Sequence, residues 1–449
     1  DGPIALMLPG VMGSHLAVGH RIWMNPLEMI AGGMEHLQIS AAGVTPDGWM
    51  DIAYERFAQH LAQSHEVRPF AYDWRLSVAD AADKFGAVLD ASMTDAEQRQ
   101  KPLRIVAHSL GGLVARLALK DRWPRFNAIQ GSRLVQFGTP NAGSHSIAAV
   151  LTGRDGFVQM IERWLDWKHN MREFLDIVRD FPGVLQLLPW PGEDGKATDG
   201  LDYFDPALWQ QWRDEDAENR NLPSRDAAAP LEPAEGAGDG WDAPLAAQLA
   251  TAREAVQQII AATLDPDHTL YVAGSARTPV ALRVVDGQMQ IGWTDRGDGR
   301  VAWDTGIPKG AKAWYVDAAH GDLLKHEAAF DDYVKLLETG DCTLATSGAG
   351  ARDGVDLAFR PAPLASQTLY PSEEEVVAAA MGGRPPSELC QRAQGLISPV
   401  SIRIFHGSLA TADTPVLMGA YANDSLRGSA KFLDKHLGGG LQGAITIGR

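Results

Sequence analysis

The sequence holds only two cysteines, Cys342 and Cys390, in 449 residues. That is too few for a disulfide framework or a thiolate metal site. It fits a reducing compartment, cytoplasmic rather than secreted, while one disulfide stays open. No run approaches the ~18 consecutive apolar residues that a membrane-spanning helix needs. The N-terminus carries no basic, apolar leader, and a start on Asp1 is expected of a processed or trimmed chain, so a removed signal peptide also stays open. Positive charge is in deficit: 40 Lys and Arg stand against 57 Asp and Glu, a formal net charge of −17. Such a field repels phosphate backbones and anionic surfaces, which argues against a nucleic-acid partner and, at any lipid interface, favours neutral or zwitterionic surfaces. No internal repeat is evident. What is present is ordinary globular material, 45% hydrophobic and 22% charged, which rules out disorder and collagen-like structure.

Short apolar runs alternate with helix-period stretches through the first third, as expected of βαβ units on a parallel sheet. The predicted strands are 4–8, 67–72, 103–107 and 134–137. Between them Met50, Tyr54, Phe57 and Leu61, and then Val78, Ala82, Phe85 and Leu89, recur at helical spacing. The alternation resumes with strands at 269–273 and 313–316 and a helix carrying Phe330, Val334 and Leu337 on one face. The sequence therefore predicts an α/β core over residues 1–150 and 268–338, interrupted by a cap or lid insertion at 151–267. Six of the 13 tryptophans (Trp164, Trp167, Trp190, Trp209, Trp212 and Trp241) fall in that insertion. They are expected to form its core, with transient contact to a lipid surface as the other role open to them. Residues 191–240 hold 13 acidic and four basic side chains among many Pro and Gly, and read mostly as loop. Residues 339–367, rich in Gly, Ala, Ser and Pro, read as a linker, and 368–449 as a small C-terminal α/β unit. The strand-like 444–447 at the very end suggests a piece of a longer chain.

The strongest local signal is the strand Leu103–Ala107 followed by His108-Ser109-Leu110-Gly111-Gly112 and an amphipathic helix. This is a nucleophile elbow, in which small residues at Ala107 and Gly111 permit a tight turn that throws Ser109 outward. A serine hydroxyl is a weak nucleophile and needs a histidine base and an orienting carboxylate, in the order Ser, Asp, His for such a sheet. His320 follows the last predicted strand, with a helix expected directly after it. Asp298, between two glycines, is the better acid, and Asp295 its competitor. His326 reads as a helix-surface residue, and His108 as lining or packing beside the site. Developing oxyanion charge needs backbone donors: Leu110 N–H, and Val11 N–H from the loop opened by Gly10 after the first strand.

Three further segments accompany these: Pro9-Gly10-Val11-Met12-Gly13-Ser14, Phe70-Ala71-Tyr72-Asp73-Trp74-Arg75 and Phe137-Gly138-Thr139-Pro140-Asn141-Ala142-Gly143-Ser144. Together they resemble the lecithin:cholesterol acyltransferase family of α/β-hydrolases, over residues 1 to about 338 with gaps through the cap. The resemblance implies that Ser109, Asp298 and His320 form the triad and that Val11 and Leu110 form the oxyanion hole. It also implies a fatty-acyl ester substrate and no metal or organic cofactor. Two departures stand out: Arg300 occupies a position where the family usually has Thr, and the lid cysteines of eukaryotic members are missing. Asp73 and Arg75 read as an ion pair among aromatic packing behind the site.

The expected function is a serine carboxylic-ester hydrolase of the lipase or phospholipase type. An acyltransferase on the same triad, an amidase or thioesterase, and an idle docking module are the alternatives. A protein partner, if there is one, is expected at the C-terminal unit. There Ser401–Gly407 looks like the strand-His-Gly of a caspase-like protease, but no Cys follows Cys390 to serve it.

Overall fold

Ile4–Leu8 (β1) is apolar along its whole length and fully buried, which only a strand covered on both faces can be. In the computed structural model, which describes residues 2–23, 33–158, 171–217, 219, 240–348, 359–360 and 373–384, it lies inside a six-stranded sheet. Residues 1–391 make one compact unit, and residues 392–449 a second that lies outside the described residues.

Along the chain, β1 leads through Ser14–Ala17 (β2), Arg21–Trp23 (β3) and Thr45–Trp49 (β4), a small antiparallel sheet, to helix Asp51–Leu61 (α1). Then come Glu66–Pro69 (β5), Val78–Arg99 (α2), Leu103–His108 (β6), Leu110–Leu119 (α3), Trp123–Ala128 (α4) and Arg133–Phe137 (β7). His145–Leu151 (α5), Met171–Val178 (α6), Pro182–Leu185 (α7), Pro206–Glu215 (α8) and Ala246–Ala261 (α9) follow β7. The chain returns as Thr269–Ala273 (β8), the hairpin Thr278–Val285 (β9) and Gln288–Thr294 (β10), and Lys312–Tyr315 (β11). Phe330–Thr339 (α10), a short strand at Phe359–Arg360 and Glu373–Met381 (α11) complete the described chain.

The large sheet runs β11-β8-β7-β6-β1-β5, all neighbours parallel, with Ile4 opposite Leu103 and Leu8 opposite Ala107. This is an α/β-hydrolase type of sheet, and its order brings the C-terminal ends of β1, β6, β7, β8 and β11 to one edge, where loops converge. The expected helices form because their apolar stripes have a sheet to meet. Phe57 of α1 packs against Phe137, Phe330 and Tyr333, and α2 starts where Ser77 Oγ accepts from Ala79 N–H at 3.2 Å.

The expected strands hold to within a few residues, with one larger difference: the run 67–72 is strand only through Pro69, because Phe70 to Arg75 turn away to pack under the β1 loop. On α10 Tyr333 and Leu336 are buried and Val334 only half so. Of the six tryptophans between residues 151 and 267, Trp190, Trp209, Trp212 and Trp241 are buried, and Trp212 and Trp241 pack edge-to-face against Trp209, while Trp164 and Trp167 lie outside the described residues. The division at 367/368 shifts: α11 packs against α1 and the turn at His320, so residues 373–384 sit with the first unit. The strand-like segments expected after residue 400 lie outside the described residues.

Candidate active site

Ser109 sits where β6 ends and α3 begins, at φ +52° and ψ −124°. A non-glycine residue held there is strained, and the surroundings impose it: Ser109 N–H donates to Phe137 O at 2.8 Å, and Gly112 N–H donates to Ser109 O at 2.9 Å. The turn closes only because Gly111 has no side chain; a Cβ there would stand 2.8 Å from Leu8 O. Ala107, fully buried between Leu8 and Gln136, meets the same need for a small side chain one residue before His108.

Two side chains from separate loops line up with Ser109. His320 Nε2 lies 2.8 Å from Ser109 Oγ, and His320 Nδ1 lies 2.8 Å from Asp298 Oδ2. The other carboxylate oxygen of Asp298 accepts from Arg300 N–H at 3.0 Å and Val301 N–H at 2.7 Å, and its carbonyl accepts from His320 N–H at 2.7 Å. The carboxylate is thus fixed by its own turn before it meets the imidazole. All three residues are buried, whereas the competitor Asp295 is exposed. The helix expected directly after His320 is instead a single 3-10 turn, His320–Asp322. His326 precedes a second such turn rather than sitting inside a helix, because the regular helix starts only at Phe330.

The loop after β1 is fastened on all sides. Tyr72 Oη donates to Pro9 O at 2.8 Å, Gly10 N–H donates to Tyr54 Oη at 2.9 Å, and Trp23 Nε1–H donates to Met12 O at 2.9 Å. Gly13 N–H closes back onto Gly10 O at 3.1 Å, and Met12 adopts φ +61°. Gly10 lies against Ser109: a Cβ there would stand 2.8 Å from Ser109 Cβ. Among the described residues neither Val11 N–H nor Leu110 N–H donates to a protein group, and Leu110 opens α3, where such donors are left unpaired.

Ser109 and His320 open onto an apolar cavity of about 60 Å³. Val11 and Met12 form one wall, Val178, Val184 and Leu187 from the chain between β7 and β8 another, and Ala380 and Met381 of α11 a third. Arg300 ties these walls together. Its guanidinium pairs with Asp155 and donates to Ala379 O at 2.8 Å. Sequence reasoning passed over this linking role because it depends on two distant segments. It also passed over Tyr54 and Trp23, whose polar atoms hold the loop although their spacing signals only core. Asp73 and Arg75 form the buried pair expected, with Arg75 also donating to Leu37 O. No group of three or more metal-ligating side chains occurs among the described residues. No described helix is long and apolar enough to cross a membrane.

Residues 46–199 match the family model for lecithin:cholesterol acyltransferase. The chain is an α/β-hydrolase-fold protein that resembles this family there. No curated protein matches. Among solved structures it is similar to the Bacillus licheniformis lipase BlEst2. The propeptide form is 12% identical with a TM-score of 0.34, over 77% of this chain and 52% of that one. The mature form is 13% identical with a TM-score of 0.33, over 75% and 92%. The chain thus spans about half the length of the propeptide form.

Proposed function

We propose that the protein is a serine ester hydrolase that cleaves lipid-like acyl esters through an acyl-enzyme on Ser109. The observation that carries this reading is the hydrogen-bonded line from Ser109 Oγ through the His320 ring to Asp298, at 2.8 Å in each step, facing an apolar cavity. His320 takes the Ser109 proton as Oγ attacks the ester carbonyl, and returns it to the leaving alcohol. Asp298 holds Nδ1 protonated, so that Nε2 is free to act as the base. Val11 and Leu110 N–H groups receive the oxyanion, and a loop already fastened at Pro9, Gly10 and Met12 meets that charge without reorganising. Water then attacks the acyl-enzyme with His320 again as base, and the bond to Ser109 Oγ breaks as His320 returns the proton to it and the carboxylic acid leaves.

The apolar walls from the insertion and α11 favour an acyl chain as the group bound beside Ser109, with residues 151–267 acting as a cap over the site. The family match at residues 46–199 keeps an alcohol beside water as acceptor, which would make the same machinery an acyltransferase. The test is turnover of nitrophenyl esters of increasing chain length by the wild-type chain and by Ser109→Ala, with a serine-directed phosphonate as label. Activity that rises with chain length and is abolished in the variant supports the reading. An unlabelled, inactive wild-type chain would point to a docking module instead.

A further inference from the structure

We propose that Tyr54 and His108 are positioning residues of this site, joined in one hydrogen-bond chain that fixes the oxyanion loop at Gly10 and the main chain of the base at His320 relative to each other. The inference rests on the reading of Ser109, His320 and Asp298 as a catalytic triad.

Four groups make up the chain. Gly10 N–H lies 2.9 Å from Tyr54 Oη, Tyr54 Oη lies 2.9 Å from His108 Nδ1, and His108 Nε2 lies 3.0 Å from His320 O. The hydrogens can be placed by elimination. The His320 carbonyl only accepts, so His108 Nε2 carries a proton. Burial, with the neighbouring His320, pushes the His108 pKa down to about 3, so its ring is neutral and Nδ1 is bare. A bare Nδ1 accepts from Tyr54 Oη–H, whose oxygen in turn receives the Gly10 N–H. Every donor meets an acceptor, and the direction of the chain is fixed.

Because His108 stays neutral, the chain carries orientation and no proton. Both ends matter for acyl transfer: Gly10 immediately precedes Val11, and the His320 carbonyl belongs to the residue whose ring must reach Ser109 Oγ. The two linking side chains are almost wholly buried, Tyr54 at 2% and His108 at 3% exposed, and the Tyr54 and His108 rings meet edge-on at 5.7 Å. Neither is needed to build the sheet, since β1 and β6 are already joined by their own register. The chain instead joins parts that the ladder does not: the β1 loop, α1, the elbow and the turn after β11.

The test uses the full chain, a short soluble nitrophenyl ester and the variants Tyr54→Phe, His108→Phe, His108→Gln and Tyr54→Phe/His108→Phe, with Ser109→Ala as reference. An unpaired buried group at either end should lower kcat about 10-fold to 100-fold with KM unchanged. His108→Gln, whose amide can donate to the His320 carbonyl, should recover most of the loss. The double variant should fall no further than the worse single one, since both cuts break one chain. The proposal is overturned if folded variants keep kcat or lose only KM, if the losses multiply, or if His108→Gln is no better than His108→Phe. If Ser109→Ala keeps wild-type turnover, it is the triad reading that fails. Independently of any variant, nitrogen-15 histidine spectra of the wild-type chain should show His108 protonated at Nε2 and bare at Nδ1 near neutral pH; a proton on Nδ1 would refute the chain.

Discussion

Gly138 backs directly onto the Asp298–His320 pair: at its φ of +57°, a Cβ would stand 2.7 Å from Asp298 Oδ2 and 2.9 Å from His320 Nδ1. The residue after β7 thus leaves just enough room for the carboxylate and imidazole to meet. A methyl group there must push one of them away or shift the backbone. Gly138→Ala is expected to lower kcat by about 100-fold, the cost of a displacement near 1 Å at a reacting group. It should also cost about 1–3 kcal/mol of stability for a non-glycine residue at that φ. Turnover and urea unfolding of the variant measure the two losses. A variant that keeps wild-type kcat would show that the pair tolerates a side chain behind it.

Asp298 receives two backbone N–H groups on one oxygen and the His320 ring on the other. Asp298→Asn keeps the shape but presents an amide N–H2 to a position that needs an acceptor, which favours the wrong histidine tautomer. The expected loss in kcat is about 10,000-fold, with labelling of Ser109 by phosphonate slowed in parallel. Retention of activity to within a few-fold would transfer the orienting role to another acid, and Asp295→Asn would then be the variant to make.

Met381 and Ala380 line the apolar cavity together with Val178, Val184 and Leu187. Removing the Met381 side chain should lengthen the space beside Ser109. Met381→Ala is therefore expected to move the preferred acyl chain to a longer one. Each additional methylene accommodated shifts the ratio of kcat/KM between neighbouring chain lengths by about 10-fold or more. Unchanged preference across the ester series would mean that the acyl chain lies elsewhere.

His65 carries a pH-dependent share of stability. Burial first, and then the Arg104 guanidinium beside its Nε2, lower its pKa from 6.5 to about 4. The folded chain therefore binds its proton less readily than the unfolded chain. Stability is complete above pH 6.5 and is lost as pH falls from there toward about 4. In His65→Gln this contribution is absent, so urea midpoints measured through that window should fall less steeply with acidification than in wild type. Parallel slopes would show that His65 titrates normally.

The strand-end positions of Ser109, His320 and Asp298 were legible because each is written locally. Ser109 lies between a largely apolar strand and a helix, His320 follows a strand, and Asp298 lies between glycines. The strand pattern was legible for a related reason: a parallel sheet covered on both faces demands continuous apolar runs such as Ile4–Leu8. The turn after His320 was missed because its backbone is shaped by the contact with Gly382 and by Asp298, neither of which is near in sequence.

By itself, the sequence determined which residue types stand at the ends of which strands, since hydrophobic period and turn chemistry are properties of neighbours along the chain. The tertiary structure decided what no local pattern encodes. It chose Asp298 over Asp295 by aiming one carboxylate at His320. It made Tyr54, a core residue by spacing, the acceptor for Gly10, and it brought α11 from more than 250 residues beyond the elbow to wall the cavity at Ser109. These depend on atoms meeting at hydrogen-bond distance across loops whose ends are set by the whole sheet, and distance in space is not recorded in the order of residues.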